Sequence, residues 1–142
     1  MACHQRRLPD RVRPRVADLQ RSERFDRAAL SALDLLLTRG EGVGHFDADE
    51  LDVDLAQGRV SHVHLAFQAH SRVQAHAFHA AAAHAGGTDQ GPPGPRSYQP
   101  ACFAAFVLDP DGNNIEVVCH GATRRSAESV VIERLTAPNA EG

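Results

Sequence analysis

One order of elements occurs twice in this chain, and it restricts the fold more than any single motif does. Each copy reads as a strand, a helix and three further short strands over about 55 residues. A unit of that size buries too little apolar surface to stand alone, so the two must share a core. The second copy is the clearer. Val63, Leu65 and Phe67 alternate with His62, His64 and Ala66, which predicts a strand over 61–67. Ser71 is placed to cap a helix over 72–85. Val73, Ala77, Phe78, Ala81 and Ala82 form its apolar stripe, and Gly86-Gly87 ends it. The Pro- and Gly-rich run 91–100 reads as a loop. An apolar strand over 101–108, a turn at Asp109-Pro110-Asp111-Gly112 and a strand over 114–119 complete the copy.

The first copy is fainter. Val12, Pro14 and Val16 alternate with Arg11, Arg13 and Arg15, although Pro14 lacks the amide proton a ladder uses. Asp18 suits a helix N-cap, and Phe25, Ala28, Ala29 and Leu33 supply the inner stripe of a helix over 19–32. Short strands are expected over 35–38 and 43–46, around a turn at Gly40–Gly44. Leu51, Val53 and Leu55 then alternate with Asp52 and Asp54. The expected organisation is a flexible N-terminus over 1–10, module one over 11–58, module two over 61–120 and a tail over 121–142. Within the tail, 130–135 suits an extra strand or a helical turn. The fold class is α+β.

Composition narrows the function. The chain has 15 Lys and Arg against 18 Asp and Glu, a net charge of −3, so nothing draws it to nucleic acid or an anionic membrane. No apolar run approaches the roughly 18 residues of a membrane span. The basic start, Arg6 to Arg15, is followed by no apolar segment of a secretory signal. Cys3, Cys102 and Cys119 show no paired spacing, which argues against a disulfide framework and fits a reducing cytoplasm. Nine His bring metal chemistry into consideration.

Side-chain parity sharpens that last point. If Val63, Leu65 and Phe67 face the helix, His62 and His64 face away from it. If Ile115, Val117 and Cys119 face the helix, Asn114 and Glu116 face away as well. With the two strands adjacent, one sheet face carries His64 and Glu116 together, ordinary ligands for zinc, manganese or iron(II). A third ligand would come from the first copy. Arg11, Arg13 and Arg15 stay protonated and cannot serve, which leaves Asp52 and Asp54. His62 is expected beside the pair, and Tyr98 and Phe103 are candidates to line the cleft. His76, His79 and His84 belong to the helix, away from it. Cys102 and Cys119 read as small buried apolar residues.

HLAF at 64–67, FHAAAAHAGG at 78–87 and AAFVLDPDGNNIEVVCH at 104–120 resemble the second half of the glyoxalase/bleomycin-resistance/dioxygenase proteins, also called the vicinal oxygen chelate superfamily. RVADLQRSERFDRAAL at 15–30 resembles the strand-to-helix passage of their first half. The resemblance covers roughly residues 11 to 120. It implies two β-α-β-β-β modules forming a U-shaped mixed sheet around a cleft, and a homodimer. It also implies a divalent metal (Zn, Mn, Fe or Ni) bound by a His on the first strand, a His on the first strand of the second module and a Glu on the last strand. Carried over, the second is His64 and the third Glu116, whereas the first falls on Arg11. Pro14 and Asp26 also depart from the family pattern.

Two classes of function follow. One is a metal-dependent enzyme, a lyase, isomerase or dioxygenase, acting on a small oxygenated metabolite. The other is a metal-free protein that captures a drug or metabolite, with Arg11 pairing an anionic ligand. A diverged, inactive copy is the third alternative, since Arg11, Pro14 and Asp26 fall in one segment.

Overall fold

Each of the two larger sheets packs one face against a helix in this protein, and the second also buries Ala104 and Val118 on the other. The computed structural model describes residues 2–4, 11–35, 37–40, 42–48, 51–97, 99–124, 126 and 131–133. In chain order the elements are β1 (Ala2–His4), β2 (Arg11–Val12), β3 (Arg15–Val16), α1 (Leu19–Ser31), β4 (Leu37–Arg39), β5 (His45–Ala48), β6 (Leu51–Asp54) and β7 (Ala56–Gln57). There follow β8 (His64–Gln68), α2 (Arg72–His84), β9 (Thr88–Pro95), β10 (Phe103–Leu108), β11 (Asn114–Cys119) and β12 (Val131–Glu133). Module one builds a sheet in the order β2-β6-β5-β4 and module two one in the order β8-β11-β10-β9. In each, the first strand runs parallel to the last and the rest pair antiparallel. The α+β class and the doubled architecture are therefore as the sequence implies.

Both helices begin as expected. The Asp18 carboxylate accepts from Arg21 N at 3.1 Å and the Ser71 hydroxyl from Gln74 N at 3.2 Å, each satisfying an otherwise unpaired amide. Pro14 splits the first strand into β2 and β3, but its carbonyl still accepts from Ala56 N at 3.0 Å, so the run stays bonded to module one.

Two expectations are overturned. The run 91–100 is not wholly a loop, because Thr88–Pro95 forms β9, antiparallel to β10 with register shifts around Phe106. β9 is an edge strand, where prolines are tolerated because one side of the strand makes no ladder. The N-terminus is not simply loose, since Ala2–His4 pairs with Val131–Glu133, a segment within the stretch expected to suit an extra strand.

The modules meet helix against helix, and one core runs through both. Phe25 and Phe46 from module one and Phe78 and Val107 from module two are fully buried in it. Gly87 sits at the pinch. A Cβ there would collide with Val107, would lie 2.7 Å from the Ala82 carbonyl oxygen and 2.8 Å from the Phe25 ring, so only glycine lets the strand approach both modules. Polar clamps reinforce the joint. Asp111, in the β10–β11 turn, accepts from Arg21 at 2.9 Å and Ser22 at 3.3 Å on α1. Buried Glu23 accepts from Arg27 Nε at 2.9 Å and from Gly44 N at 2.8 Å, tying α1 to the turn before β5. Gly44 adopts a φ of +87° there.

Asp26 is the costly residue of this joint. Burial, followed by the negative charges of Asp109, Asp111 and Glu23, pushes its carboxyl up to about 8. The folded chain thus holds a proton that the unfolded chain releases near pH 4. The associated stability is full below about pH 4 and is lost as the pH rises to about 8. Asp26→Asn, a neutral mimic of the protonated acid, should match the parent near pH 4. At pH 8.5 it should exceed the parent by at least about 1 kcal/mol in urea unfolding. Gly87→Ala should cost about 2 kcal/mol in the same measurement at any pH, because the added methyl meets backbone and ring atoms that cannot yield.

Candidate functional site

Parity places the chemistry on the outer face of the second sheet, the face turned away from α2. Ile115 and Val117 are buried on the helix side, and Leu65 and Phe67 pack against the same core. Their neighbours therefore point outward. The start of β8 is fixed by Asn113, whose side-chain oxygen accepts from Val63 N at 3.0 Å while Asn114 N donates to Val63 O at 3.0 Å. This sets His64 beside Asn114 and Ala66 beside Glu116 in parallel register. His64 then reaches one pleat along the strand, and its Nε2 lies 3.5 Å from Glu116 Oε1.

That separation exceeds the usual hydrogen-bond range of about 2.7–3.2 Å. It matches the edge of a tetrahedron, about 3.4 Å, spanned by two ligands each about 2.1 Å from one metal. Glu116 is 8% exposed, while the His64 side chain is 54% exposed and open to an incoming ligand. Beside them, Asn114 Oδ1 is buried without a hydrogen-bond partner, an oxygen that calls for a donor or a cation. Phe106 is the strand partner of Glu116 on the other side, and its ring stands 6.0 Å from that of His64. The donor types and spacing fit a divalent metal at two positions.

The equivalent place in module one is built differently. β2 and β6 pair Arg11 directly with Asp52, whereas β8 and β11 pair His64 with Asn114 and leave Glu116 one pleat along. Arg11 Nε donates to Asp52 Oδ2 at 2.9 Å, and His45 Nε2 lies 2.8 Å from Asp52 Oδ1. Burial opposes ionisation of Asp52, but the Arg11 hydrogen bond and the neighbouring His45 outweigh it and hold the carboxyl below its ordinary value. Asp54, the other third-ligand candidate, pairs with Arg13 at 3.6 Å. Among the described residues, no group of three His, Cys, Asp or Glu converges on one metal position.

The remaining sequence candidates divide. Asn114 belongs to the His64–Glu116 face. Arg11 lies on the other sheet, engaged with Asp52. His62 precedes β8 and is exposed. Phe103 is a correction: it points to the helix side, 6% exposed, with Arg72 stacked 4.8 Å above it and His76 5.5 Å away, so it lines no surface shared with His64. Tyr98 lies outside the described residues. Sequence reasoning missed His45, although the alternation of His45 and Asp47 around buried Phe46 marks the outward face of β5. It also missed Arg96, described below. Two surface hollows, of about 400 and 250 Å³, lie along α1 and include neither His64 nor Glu116.

Comparison with known proteins agrees with this architecture. Residues 10–117 match the model of the Glyoxalase/Bleomycin resistance protein/Dioxygenase superfamily, and the chain belongs to that superfamily. A glyoxalase/bleomycin resistance protein from Albidiferax ferrireducens T118 is 28% identical, with a TM-score of 0.64 over 77% of this chain and 95% of that one. The oxidase ChaP-H2 shares the fold at 20% identity, with a TM-score of 0.59 over 78% and 91%. A glyoxalase I variant from Zea mays is 26% identical, with a TM-score of 0.52 over 78% of this chain but 45% of that longer one. No curated protein matches the sequence significantly.

The module-one ion cluster has its own signature. A depressed carboxyl contributes stability above its unfolded value near pH 4 and loses it as the pH falls. Asp52→Asn should therefore lower stability by about 1 kcal/mol at pH 7 and by much less near pH 3, measured by urea unfolding at both.

Proposed function

We propose that this protein acts on a small oxygenated metabolite at the outer face of the second sheet, with His64 and Glu116 holding a divalent metal such as Zn, Mn, Fe or Ni. The observation that carries this reading is the 3.5 Å gap between His64 Nε2 and Glu116 Oε1 on adjacent parallel strands. When bound, such an ion supplies Lewis acidity, polarising a carbonyl or stabilising an enolate, as a lyase, isomerase or dioxygenase requires. Glu116 anchors from the nearly buried floor, and exposed His64 meets the ligand. Asn114 Oδ1 accepts a hydrogen bond from a hydroxyl or water beside them. A homodimer, as in the superfamily, supplies a second copy to cover this open face. Two buried free cysteines, Cys102 and Cys119, fit a reducing cytoplasm.

A second reading rests on a different observation. The Arg11–Asp52 pair stands where a third ligand would come from, which favours a metal-free protein that captures a drug or metabolite.

Metal content and thermal shift separate the two. Grown with Mn, Fe, Zn and Ni, the enzyme reading predicts close to one metal per chain, and less than about 0.1 counts against it. Saturating metal should raise the melting temperature by several degrees, since a ligand at about 100 times its Kd adds about 2.7 kcal/mol. His64→Ala and Glu116→Gln should each abolish that rise.

A further inference from the structure

Arg96 projects over the same outer face as the His64–Glu116 pair, and it is held there with unusual thoroughness. Its backbone N–H donates to Cys102 O at 2.9 Å. Its Nη1 donates to Pro95 O at 3.1 Å and its Nη2 to Pro92 O at 2.8 Å. The guanidinium carbon stands 5.5 Å from the Phe106 ring centre. Two glycines leave the room it occupies: a Cβ at Gly94 would lie 3.1 Å from Nη1, and one at Gly91 would lie 3.4 Å from Nη2 and 3.0 Å from the Phe106 ring.

These contacts fix the side chain without neutralising it. Both anchors are uncharged carbonyls, and no carboxylate lies within ion-pair distance of Arg96 among the described residues. Of the five N–H donors of a guanidinium, the two carbonyl bonds use two and leave three. A cation immobilised in this way has already lost the side-chain entropy that binding an anion would otherwise cost. Phe106 is the shared platform, with Arg96 over it at 5.5 Å and His64 beside it at 6.0 Å. The charges of Arg96 and Glu116 are also both felt at buried Cys102, whose thiol is raised first by burial and then by Glu116, while Arg96 opposes the rise.

We propose that Arg96 is the anion-recognition residue of this face, and that the ligand is a small organic carboxylate. Its carboxylate pairs with the guanidinium, its flat carbon body lies along Phe106, and its oxygen functions reach His64 and Glu116. Phosphate is the poorer match: Glu116 stands beside the same ring, and its repulsion of a dianion is about twice that of a carboxylate. The planar guanidinium fork also suits the planar carboxylate. This proposal rests on the reading that the outer face is the ligand site, and it does not require the metal.

Calorimetric titration of the full chain with benzoate, benzamide and phenyl phosphate tests it. Benzoate should bind at least about tenfold tighter than benzamide, its neutral counterpart, and tighter than phenyl phosphate. Arg96→Gln should erase the benzoate preference, and Arg96→Lys, which keeps the charge but not the fork, should restore part of it. The melting temperature of each unliganded variant shows whether it folds. Stripping metal from the full chain with EDTA should keep the benzoate preference, so failure of the metal reading is read separately from failure of this one. Equal binding of benzoate and benzamide, or no benzoate binding up to about 10 mM, overturns the proposal. A folded Arg96→Gln that still prefers benzoate also overturns it and leaves Arg96 as a clamp on the end of β9. Tightest binding by phenyl phosphate would overturn the choice of carboxylate.

Discussion

The structure depends on each short sheet having one face packed on a helix and one turned away from it, and in the second sheet the latter also buries Cys102, Ala104 and Val118. The helices α1 and α2 take the buried faces and pack on each other, so a single core is continuous through both modules. That arrangement leaves the outer faces free to carry His64, Glu116 and Asn114 in one module and Arg11, His45 and Asp52 in the other. Period-two alternation is thus the device that sorts structural from chemical residues. A slip of one residue in register would exchange the two sets.

The two outer faces have diverged from a common plan. In each module the first and last strands run side by side in parallel, and a basic or imidazole side chain on the first meets a carboxylate on the last. In module two the pair stands apart at 3.5 Å and stays open to a ligand. In module one Arg11, Asp52 and His45 close on one another at 2.8–2.9 Å. A guanidinium hydrogen-bonded to a carboxylate satisfies both groups and leaves little for a metal to gain. The pair that stands apart is therefore on module two, where the Arg96 guanidinium and the His64 imidazole flank the Phe106 ring.

Much of this was legible in the sequence because module two alternates cleanly. Val63, Leu65 and Phe67 against His62 and His64, with Ile115 and Val117 against Asn114 and Glu116, predicted the face on which the pair now stands. Phe103 was misplaced because β10 is apolar on both sides and gives no signal of which residues point inward. β9 was hidden by its prolines, which mark a breaker in most contexts and are tolerated at a sheet edge. That same misreading concealed Arg96, since a cation in a loop has no defined face. Pairing between β1 and β12 joins residues far apart in the chain, which no local pattern reports. His45 was overlooked because β5 has only four residues, so the alternation of His45 and Asp47 around Phe46 spans a single period.

The prolines of β9 also bear on how copies of the molecule can come together. Pro92, Pro93 and Pro95 occupy three of the eight positions on the free border of the second sheet, and none has an amide proton to offer. A neighbouring chain finds no continuous ladder there on which to add itself. Growth of one sheet into the next, the route to fibrous aggregation, is obstructed along that border, and any ordered partner is steered toward the broad surfaces instead.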